Sequence, residues 1–260
     1  MNETYTSGAA ASAAVSNKKM TDEIELFCGA ALTGNEEKVC EFIRKHASDK
    51  EKINTHTESG ATALYVASQS GHLRIVELLV ENGADLDVVE KCAGCSPLIT
   101  AIAYEKTQVA RFLVERGAAV NLKQADGDTA LMAAATKNNA EVVSLLVQYN
   151  VDINAPGKSN QTPLSIACAK KFTSIVALLL KSGANPNQRG RYGITPLFSA
   201  ASLGNTDIIK LLLDKNADVN CIDDAGYTAI TYAANSDVAN FITSYVTAKK
   251  NESMSAVSSI

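Results

Sequence analysis

The sequence lacks tryptophan, has only three histidines and contains no long apolar run. No stretch approaches the roughly 20 apolar residues that a membrane-spanning helix needs. Residues 8–11 are weakly apolar with no basic region before them, and no arginine precedes Arg44. The sequence therefore predicts neither a membrane span, nor a secretory signal, nor a mitochondrial targeting peptide.

Patterns typical of catalytic and metal sites are also missing. His46, His56 and His72 have no Cys, Ser or Asp at a recurrent catalytic spacing. The sequence contains no phosphate-binding glycine loop and no His-Glu metal motif. We therefore predict no catalytic residue, no metal site and no small-molecule cofactor, in a protein that is not an enzyme.

The cysteines follow no disulfide framework, which favours reduced thiols and a cytoplasmic location, with the nucleus also open. Cys92 and Cys95 are the one pair at a metal-binding spacing. Such a pair supplies two of the four ligands of a zinc site, and no second pair or nearby His completes the set. A metal or redox role of Cys92 and Cys95 stays an alternative. The six cysteines are Cys28, Cys40, Cys92, Cys95, Cys168 and Cys221.

The main feature of the sequence is a repeat. Residues 161–167 read Gln-Thr-Pro-Leu-Ser-Ile-Ala, and related heptads recur five more times. The Ser or Thr of the six copies falls at positions 62, 96, 129, 162, 195 and 228, so the spacing is 34 once and 33 four times. A fixed period of this length indicates an array of stacked structural units.

Each part of the period has a physical role. Ser or Thr accepts a hydrogen bond from a free N–H at a helix start, and Pro at the first helical position loses none. Leu and Ala three residues apart form one face of a short first helix. Stripes such as Ile75-Val76 with Leu78-Leu79 then predict a second helix. Gly or Asn after that helix tolerates the left-handed conformation of a helix end.

A 33-residue unit made of two helices and a turn, with Thr-Pro-Leu at the first helix start, resembles the ankyrin repeat. The resemblance implies an all-α solenoid of stacked helix–turn–helix units, with β-hairpin fingers along one edge. We expect a disordered N-terminal tail, an N-terminal capping unit, five internal repeats, a C-terminal capping unit and a C-terminal tail. In that order they cover residues 1–20, 21–53, 54–86, 87–120, 121–153, 154–186, 187–219, 220–246 and 247–260.

The repeats depart from the family pattern in two ways. None has the His that the family usually carries after the Leu of the heptad. The turn between helices keeps Gly71 and Gly204 but has Glu105 and Lys171 in the second and fourth internal repeats. If these turns need a positive φ, each non-glycine residue there costs about 1 kcal/mol. The residues in place of His are Tyr65, Ile99, Met132, Ser165, Phe198 and Thr231.

Charge is unevenly distributed along the chain. Residues 21–90 contain 14 acidic and 6 basic residues, whereas no acidic residue lies between Asp152 and Asp207. The whole chain has a formal charge of only −4. A solvated, charged surface is one interpretation of the acid-free stretch, and a binding surface is the other. The basic residues in that stretch are Lys158, Lys170, Lys171, Lys181, Arg189 and Arg191.

The resemblance implies that partners bind the finger tips and the outer part of the first helices, on the concave face. Lys158 and Arg191 occupy tip positions, and Lys170 occupies a helix position. Arg and aromatic residues are also the types that dominate binding hot spots. The predicted partner-binding residues are Tyr104, Lys137, Lys158, Lys170, Arg191, Tyr192 and Leu203.

These features predict a non-catalytic protein–protein interaction module that acts as an adaptor, scaffold or inhibitor. The partner is expected to be a protein, with an acidic segment favoured because of the basic residues between Asp152 and Asp207. Binding of a nucleic acid or another polyanion through the basic face of the fourth and fifth internal repeats is the alternative, and it is disfavoured.

Overall fold

The computed structural model describes the backbone of residues 6–257 and the side chains of residues 18–49, 51–249 and 251. The chain divides into two compact units, Met1–Ala125 (unit 1) and Asp126–Ile260 (unit 2). The described residues of both units are helical, with turns between the helices. This arrangement confirms the all-α fold class that the repeat predicts.

Unit 1 contains three antiparallel helix pairs. The first helices of the pairs, α1, α3 and α5, pack side by side, and the second helices, α2, α4 and α6, form a parallel layer behind them. A short 3₁₀ helix, η1, follows α2. The bounds are α1 Thr6–Thr33, α2 Glu36–Lys45, η1 Lys50–Asn54, α3 Ala63–Ser70, α4 Leu73–Glu81, α5 Pro97–Ala103 and α6 Thr107–Glu115.

Unit 2 repeats this arrangement with three more pairs and one long final helix. Here α7, α9 and α11 are the first helices, α8, α10 and α12 are the second helices, and α13 packs on α12. Two 3₁₀ turns, η2 and η3, precede α9 and α11. The bounds are α7 Ala130–Thr136, α8 Ala140–Gln148, η2 Lys158–Asn160, α9 Pro163–Ala169, α10 Thr173–Lys181, η3 Arg191–Gly193, α11 Pro196–Ser202, α12 Thr206–Asp214 and α13 Ser236–Val257.

The recurring Thr or Ser starts the first helices, as the sequence predicts. Thr62 accepts a hydrogen bond from the backbone N–H of Tyr65 at 3.2 Å. Thr162 accepts one from Ser165, whose hydroxyl accepts the N–H of Thr162 in return. Each such cap stabilises the protein by about 1 kcal/mol. Thr195 precedes α11 without a side-chain cap bond.

Apolar residues of the two helix layers form the core. Leu64, Leu131, Leu164 and Leu197 of the heptads are at most 2% exposed. Second-helix residues such as Leu79 are fully buried. Truncating one of these leucines to Ala costs about 2–5 kcal/mol. The apolar positions of the period therefore hold successive repeats together within each unit.

The recurrent Asp or Asn at the start of each repeat links neighbouring repeats. Asn54 Oδ1 accepts from the backbone N–H of Asp85 at 2.8 Å, and Asp87 Oδ1 accepts from Ala119 at 2.9 Å. In unit 2, Asn187 Oδ1 accepts from Asp218 at 2.8 Å. The sequence places these residues at a turn, whereas the structure adds a hydrogen bond to a residue 31 or 32 positions later.

The turns between paired helices do adopt positive φ. Glu105 has φ 59° and Lys171 has φ 61°, close to the 68° of Gly204. The sequence-based expectation for these two turns is therefore confirmed. Each of the two residues carries about 1 kcal/mol of backbone strain that a glycine would not have.

The predicted tails are helical over most of their length. Residues 6–20 belong to α1 rather than to a disordered tail, because their alanine-rich sequence has a high helix propensity and continues into the first repeat helix. Residues 247–257 likewise extend α13. Residues 1–5 and 258–260 of the predicted tails lie outside the described residues.

The C-terminal capping unit differs from a complete repeat. Residues 229–235 form turns and bends where the heptad predicts a first helix, and α13 follows directly. The shortened segment is instead fixed to the preceding repeat by a hydrogen bond from the N–H of Ala234 to the carbonyl of Ala201, at 3.0 Å. Among the first helices of unit 2, α11 is therefore the last in the row. A turn packs on it where another helix would otherwise pack.

The predicted β-hairpin fingers are tight turns. Within residues 6–257 the fingers contain isolated bridges, such as Ile222 with Thr228, but no regular strand. The finger at residues 57–61 closes through the N–H of Thr57 and the carbonyl of Ala61 at 2.8 Å. The extended segments beside each tip are too short to add further rungs to a ladder.

Candidate protein-binding face

Two neighbouring fingers of unit 2 begin with glycine and carry a basic residue next. We call residues 157–161 and 190–194 the Gly-led fingers. Backbone bonds close them, from Gly157 N–H to the Gln161 carbonyl at 2.9 Å and from Gly190 N–H to the Ile194 carbonyl at 2.8 Å. The exposed residues Lys158 and Arg191 therefore occupy the same position in both tips.

Three other fingers, at residues 57–61, 90–95 and 223–227, begin with a residue whose side chain accepts hydrogen bonds from the tip. We call these the side-chain-capped fingers. Glu90 accepts from the backbone N–H of Cys92 at 2.6 Å and of Ala93 at 2.7 Å. Asp223 accepts from Ala225 at 3.0 Å and from Tyr227 at 2.8 Å. The Gly-led fingers lack this acceptor, which is a carboxylate in Glu90 and Asp223 and a hydroxyl in Thr57.

Gly157 is needed where it lies because of its neighbours. A Cβ atom at this position would lie 2.6 Å from Asp128 Oδ1 and 2.7 Å from Met132 Sδ. The carboxylate of Asp128 also accepts the backbone N–H of Lys158. Burial, followed by the nearby charge of Asp126, raises the pKa of Asp128, while Lys158 acts in the opposite direction. Finger and helix start are therefore packed too closely here for a side chain at position 157.

Tyr192 has a strained backbone at an exposed tip. Its φ is 59°, in the left-handed region that favours glycine, and its side chain is 61% exposed. The strain is about 1–2 kcal/mol. The guanidinium of Arg191 lies over the tyrosine ring at 4.5 Å from its centroid. A cation–π contact between exposed groups contributes about 0.5–1 kcal/mol and favours this arrangement of the two side chains.

Lys137, Lys170 and Leu203 occupy one equivalent position in three adjacent helices. They are the C-terminal caps of α7, α9 and α11. Lys137 and Lys170 are exposed, and Leu203 is half-buried. A cation is also favourable at a helix C-terminus, because the helix dipole is negative there. The two lysines therefore have a structural reason for their position as well as a candidate binding role.

Arg189 has a different role from its basic neighbours. Its Nη1 donates to the carbonyl of Ile222 at 2.7 Å, and its Nη2 contacts Asp224 Oδ1 at 3.1 Å. The backbone N–H of Asp224 in turn donates to the carbonyl of Tyr192 at 3.0 Å. Arg189 thus ties its finger to the next one. Arg189 is exposed as well, but its guanidinium is engaged with the next finger.

Six of the seven residues predicted to bind a partner lie in unit 2, at two finger tips and three helix ends. Tyr104 is the exception, since it lies in unit 1 as the C-terminal cap of α5. Its side chain is 52% exposed. The predicted residues of unit 2 therefore form two groups, one at the finger tips and one at the helix ends, and Tyr104 lies in the other unit.

The sequence prediction missed an exposed aromatic cluster in unit 2. Tyr227 and Tyr232 meet edge to face, with ring centroids 6.3 Å apart, and are 52% and 39% exposed. Ile222 of the same finger is 50% exposed. Tyrosines at positions 227 and 232 of the last, atypical heptad were visible in the sequence. Their exposure depends on the missing helix over residues 229–235, which the periodicity did not predict.

The Cys92–Cys95 pair is built into a side-chain-capped finger. The Cys92 thiol is exposed and lies 3.6 Å from the carbonyl of Ser59, whereas Cys95 donates to Gln124 Oε1 at 3.0 Å. A hydrogen bond to the Glu90 carboxylate raises the pKa of Cys92, which disfavours the reactive thiolate. Among the described residues, no group of three or more His, Cys, Asp or Glu is arranged to hold a metal ion. All six cysteines are free thiols.

No helix in the described part of the chain is both long and apolar enough to span a membrane. The helix pairs, capped heptads and exposed finger tips are those of a repeat protein built from stacked helix pairs. A family model of ankyrin repeats matches residues 27–124, 116–190 and 183–253. The chain belongs to the ankyrin-repeat family.

Particular relatives share shorter segments. Human protein phosphatase 1 regulatory subunit 27 is 37% identical over 103 residues, which cover 40% of this chain and 64% of that protein. The mouse B-cell lymphoma 3 protein homolog is 38% identical over 79 residues, 30% of this chain and 18% of that protein. Mouse ankyrin repeat and SAM domain-containing protein 6 is 35% identical over 82 residues, 32% of this chain and 9% of that protein. The chain thus spans less than two thirds of each relative.

Two solved ankyrin-repeat domains resemble most of the chain. The domain of human ASB11 has a TM-score of 0.71 and 27% identity, covering 84% of this chain and 96% of that domain. The domain of Bcl-3, described as a unique member of the IkappaB protein family, has a TM-score of 0.77 and 25% identity. It covers 84% of this chain and 97% of that domain.

Proposed function

We propose that the chain is a non-catalytic protein-interaction module that binds an acidic segment of a protein partner through unit 2. The binding residues are Lys158, Arg191 and Tyr192 at the Gly-led fingers, with Lys137, Lys170 and Leu203 at the helix ends. An adaptor, scaffold or inhibitor role follows from binding without chemistry. The relatives named as phosphatase regulatory subunits support the regulatory form of this proposal.

The observation that carries the proposal is the pair of equivalent basic tips. Lys158 and Arg191 are exposed on neighbouring fingers, and each follows a glycine at the position where three other fingers have an acceptor side chain. Asn160 Nδ2 donates to the carbonyl of Arg189, which holds the two fingers together. Two positive charges fixed on adjacent tips suit a carboxylate-rich chain that runs across both fingers. Charge of this kind mainly accelerates encounter with the partner.

The stacked Arg191–Tyr192 pair supports a protein ligand in particular. The exposed Tyr192 has its backbone at positive φ, a conformation that carries strain a glycine would not have. Tyr and Arg provide large contact areas with few rotatable bonds. We expect Tyr192 and Leu203 to slow dissociation of the partner, whereas the basic residues set the association rate.

A fluorescent peptide of alternating Asp, Glu and Gly residues tests the proposal by anisotropy on the full chain. The double variant Lys158→Glu with Arg191→Glu should bind about tenfold more weakly, because each charge reversal replaces an attraction with a repulsion. It should also show a flatter salt dependence. Lys181→Glu with Lys210→Glu is the matched control, since it makes the same charge change on second helices.

An equal loss in both double variants would mean that only net charge matters and would overturn the proposed face. A single-stranded DNA oligonucleotide of equal charge is the second probe. Tighter binding of the oligonucleotide, with a steep logarithmic salt dependence, would favour the nucleic-acid alternative, because counterion release dominates phosphate binding. Thermal melts of both variants should match the parent, since exposed substitutions seldom change stability by more than about 0.5 kcal/mol.

A further inference from the structure

Beside the basic tips, unit 2 exposes a group of large apolar side chains. We define the end patch as Tyr192, Ile222, Tyr227 and Tyr232. These side chains are 61%, 50%, 52% and 39% exposed, respectively. Single exposed apolar residues are common on protein surfaces, whereas a group of them marks a binding site. The end patch lies on the finger of Arg191, on the next finger and on the turn that follows it.

The rings of the end patch are held in place. The Tyr232 hydroxyl donates to Asp223 Oδ2 at 2.6 Å, and its ring lies 5.6 Å from that of the buried Phe198. The ring of Tyr227 packs edge to face against Tyr232. Side chains that are already ordered lose little conformational entropy on binding, so the patch is preorganised for a ligand.

The reason for the exposure lies in the shortened C-terminal unit. In unit 2, α7 packs against α9 and α9 against α11, so each first helix covers the one before it. After α11 the chain forms turns and bends over residues 229–235 instead of another helix. These turns cover Phe198 with Tyr232 but leave the outer faces of Tyr227 and Tyr232 in solvent.

The end patch is continuous with the basic tips. Tyr192 belongs to the patch and also stacks under Arg191. The finger of Tyr192 is joined to the next finger by the Asp224 N–H at 3.0 Å from the Tyr192 carbonyl, and by Arg189 at 2.7 Å from the Ile222 carbonyl. The surface therefore changes from basic at Lys158 to mixed at Arg191 and Tyr192. It then continues to the apolar side chains of Ile222 and Tyr227, beside the exposed ion pair of Arg189 and Asp224.

We infer that the partner segment is bipartite: an acidic stretch on Lys158, Lys170 and Arg191 continues into a bulky apolar side chain that sits on the end patch. This inference rests on the proposed function of the basic tips and adds the chemistry of the second anchor. The occupant is one extended protein segment, because the two surfaces share Tyr192. The acidic part determines how fast the segment binds, and the apolar part determines how long it stays bound.

Fluorescence anisotropy with defined peptides on the full chain tests the inference. One probe is the acidic peptide of alternating Asp, Glu and Gly residues. Two further probes carry a Leu-Phe-Leu extension after a Gly-Ser spacer, one at each end of that peptide, and two controls carry Ser-Ser-Ser in its place. One of the Leu-Phe-Leu peptides should bind about tenfold more tightly than its Ser control, as expected for a single hot-spot anchor.

The variant Ile222→Ser with Tyr227→Ser should abolish this gain and leave the affinity for the acidic peptide unchanged. Tyr232 is kept in this variant because it covers Phe198, and a circular dichroism melt checks that the fold is intact. Tyr149→Ser is the matched control, since Tyr149 is 43% exposed in the same unit but ends a second helix. Its affinities should equal those of the parent chain.

The outcomes separate the inference from the function on which it rests. Binding of the acidic peptide with no gain from either extension would overturn the end patch and leave the basic tips supported. A gain that persists in the Ile222→Ser, Tyr227→Ser variant would also overturn the end patch, because the apolar anchor would then lie elsewhere. Failure of all the peptides to bind would overturn both proposals.

Discussion

The Gly-led and side-chain-capped fingers perform the same structural task in two ways. In two of the three capped fingers, Glu90 and Asp223 accept backbone hydrogen bonds from the tip, so a negative charge is part of the turn, whereas the hydroxyl of Thr57 is the acceptor in the third. In the Gly-led fingers, backbone bonds close the turn and the next residue is Lys158 or Arg191. The comparison shows that a fingertip turn closes with or without an acceptor side chain. In the Gly-led fingers, no carboxylate therefore precedes Lys158 or Arg191 at the start of the turn.

The comparison also explains part of the acid-free stretch between Asp152 and Asp207. Two of its positions, 157 and 190, are those where other fingers have Thr57, Glu90 or Asp223. Arg189 within the stretch is engaged with the next finger. The remaining exposed bases at tips and first-helix ends, Lys158, Lys170 and Arg191, are the ones to which we assign a binding role.

The largest expected difference between the two finger types is in stability. Glu90→Ala should lower the free energy of unfolding by about 1–3 kcal/mol, because it removes the acceptor of two tip N–H groups. Lys158→Ala should change the free energy of unfolding by less than about 0.5 kcal/mol, since its side chain is exposed at a turn that the backbone closes. Urea denaturation followed by circular dichroism measures both. Equal losses would contradict the distinction between the finger types.

The pH dependence of stability should also distinguish the fingers. The Tyr232 hydroxyl, together with backbone N–H groups, lowers the pKa of Asp223. A lowered folded-state pKa adds stability above the unfolded value, about 3.9, and this stability is lost as the pH falls through the folded value. Thermal midpoints of the parent chain should therefore fall more steeply below about pH 4 than those of Asp223→Asn.

Asp128, beside a Gly-led finger, should show the opposite effect. Burial raises its pKa, so its ionised form opposes folding and the protein gains stability as the pH falls through that raised value. Asp128→Asn should abolish this gain and raise the thermal midpoint at neutral pH. The amide oxygen can still accept the Lys158 backbone N–H. A lower midpoint for Asp128→Asn at neutral pH would show that the charged form is needed.

The smallest stability effect is expected at Tyr192. Tyr192→Gly relieves about 1 kcal/mol of left-handed backbone strain. Loss of the exposed cation–π contact with Arg191 offsets this by a similar amount. The melting midpoint should stay the same while binding of the acidic peptide weakens. Tyr149→Gly is the control, and it should lower stability because Tyr149 has an ordinary φ of −100°. A clear loss of stability in Tyr192→Gly would show that the Tyr192 side chain stabilises the fold.

The sequence predicts those parts of the fold that depend on local interactions. Thr62 and Thr162 start helices because a side chain can cap the N–H of a residue three positions later. Glu105 and Lys171 adopt positive φ because they replace the turn glycine. The period of 33 then fixes the stacking, since each unit must bury its apolar stripes against the next.

The 33-residue pattern did not predict the hydrogen bonds between repeats. The bonds from Asn54 to Asp85 and from Arg189 to Ile222 join residues 31 and 33 positions apart. The heptad at Thr228 matches the others, yet its helix is missing because the segment before α13 is shortened. The exposure of Tyr227 and Tyr232 depends on that loss, so the sequence prediction included Tyr192 of the end patch but not Ile222, Tyr227 and Tyr232.

The most direct test of the account converts one Gly-led finger into a capped one. The variant Gly190→Asp, Arg191→Asp and Tyr192→Ala reproduces the residues at 223–225 and keeps the following glycine, and a Cβ at position 190 meets no atom closer than 3.4 Å. We expect an unchanged far-UV circular dichroism spectrum and an affinity for the acidic peptide at least about tenfold lower. A folded variant with the affinity of the parent chain would contradict the assignment of binding to the Gly-led fingers.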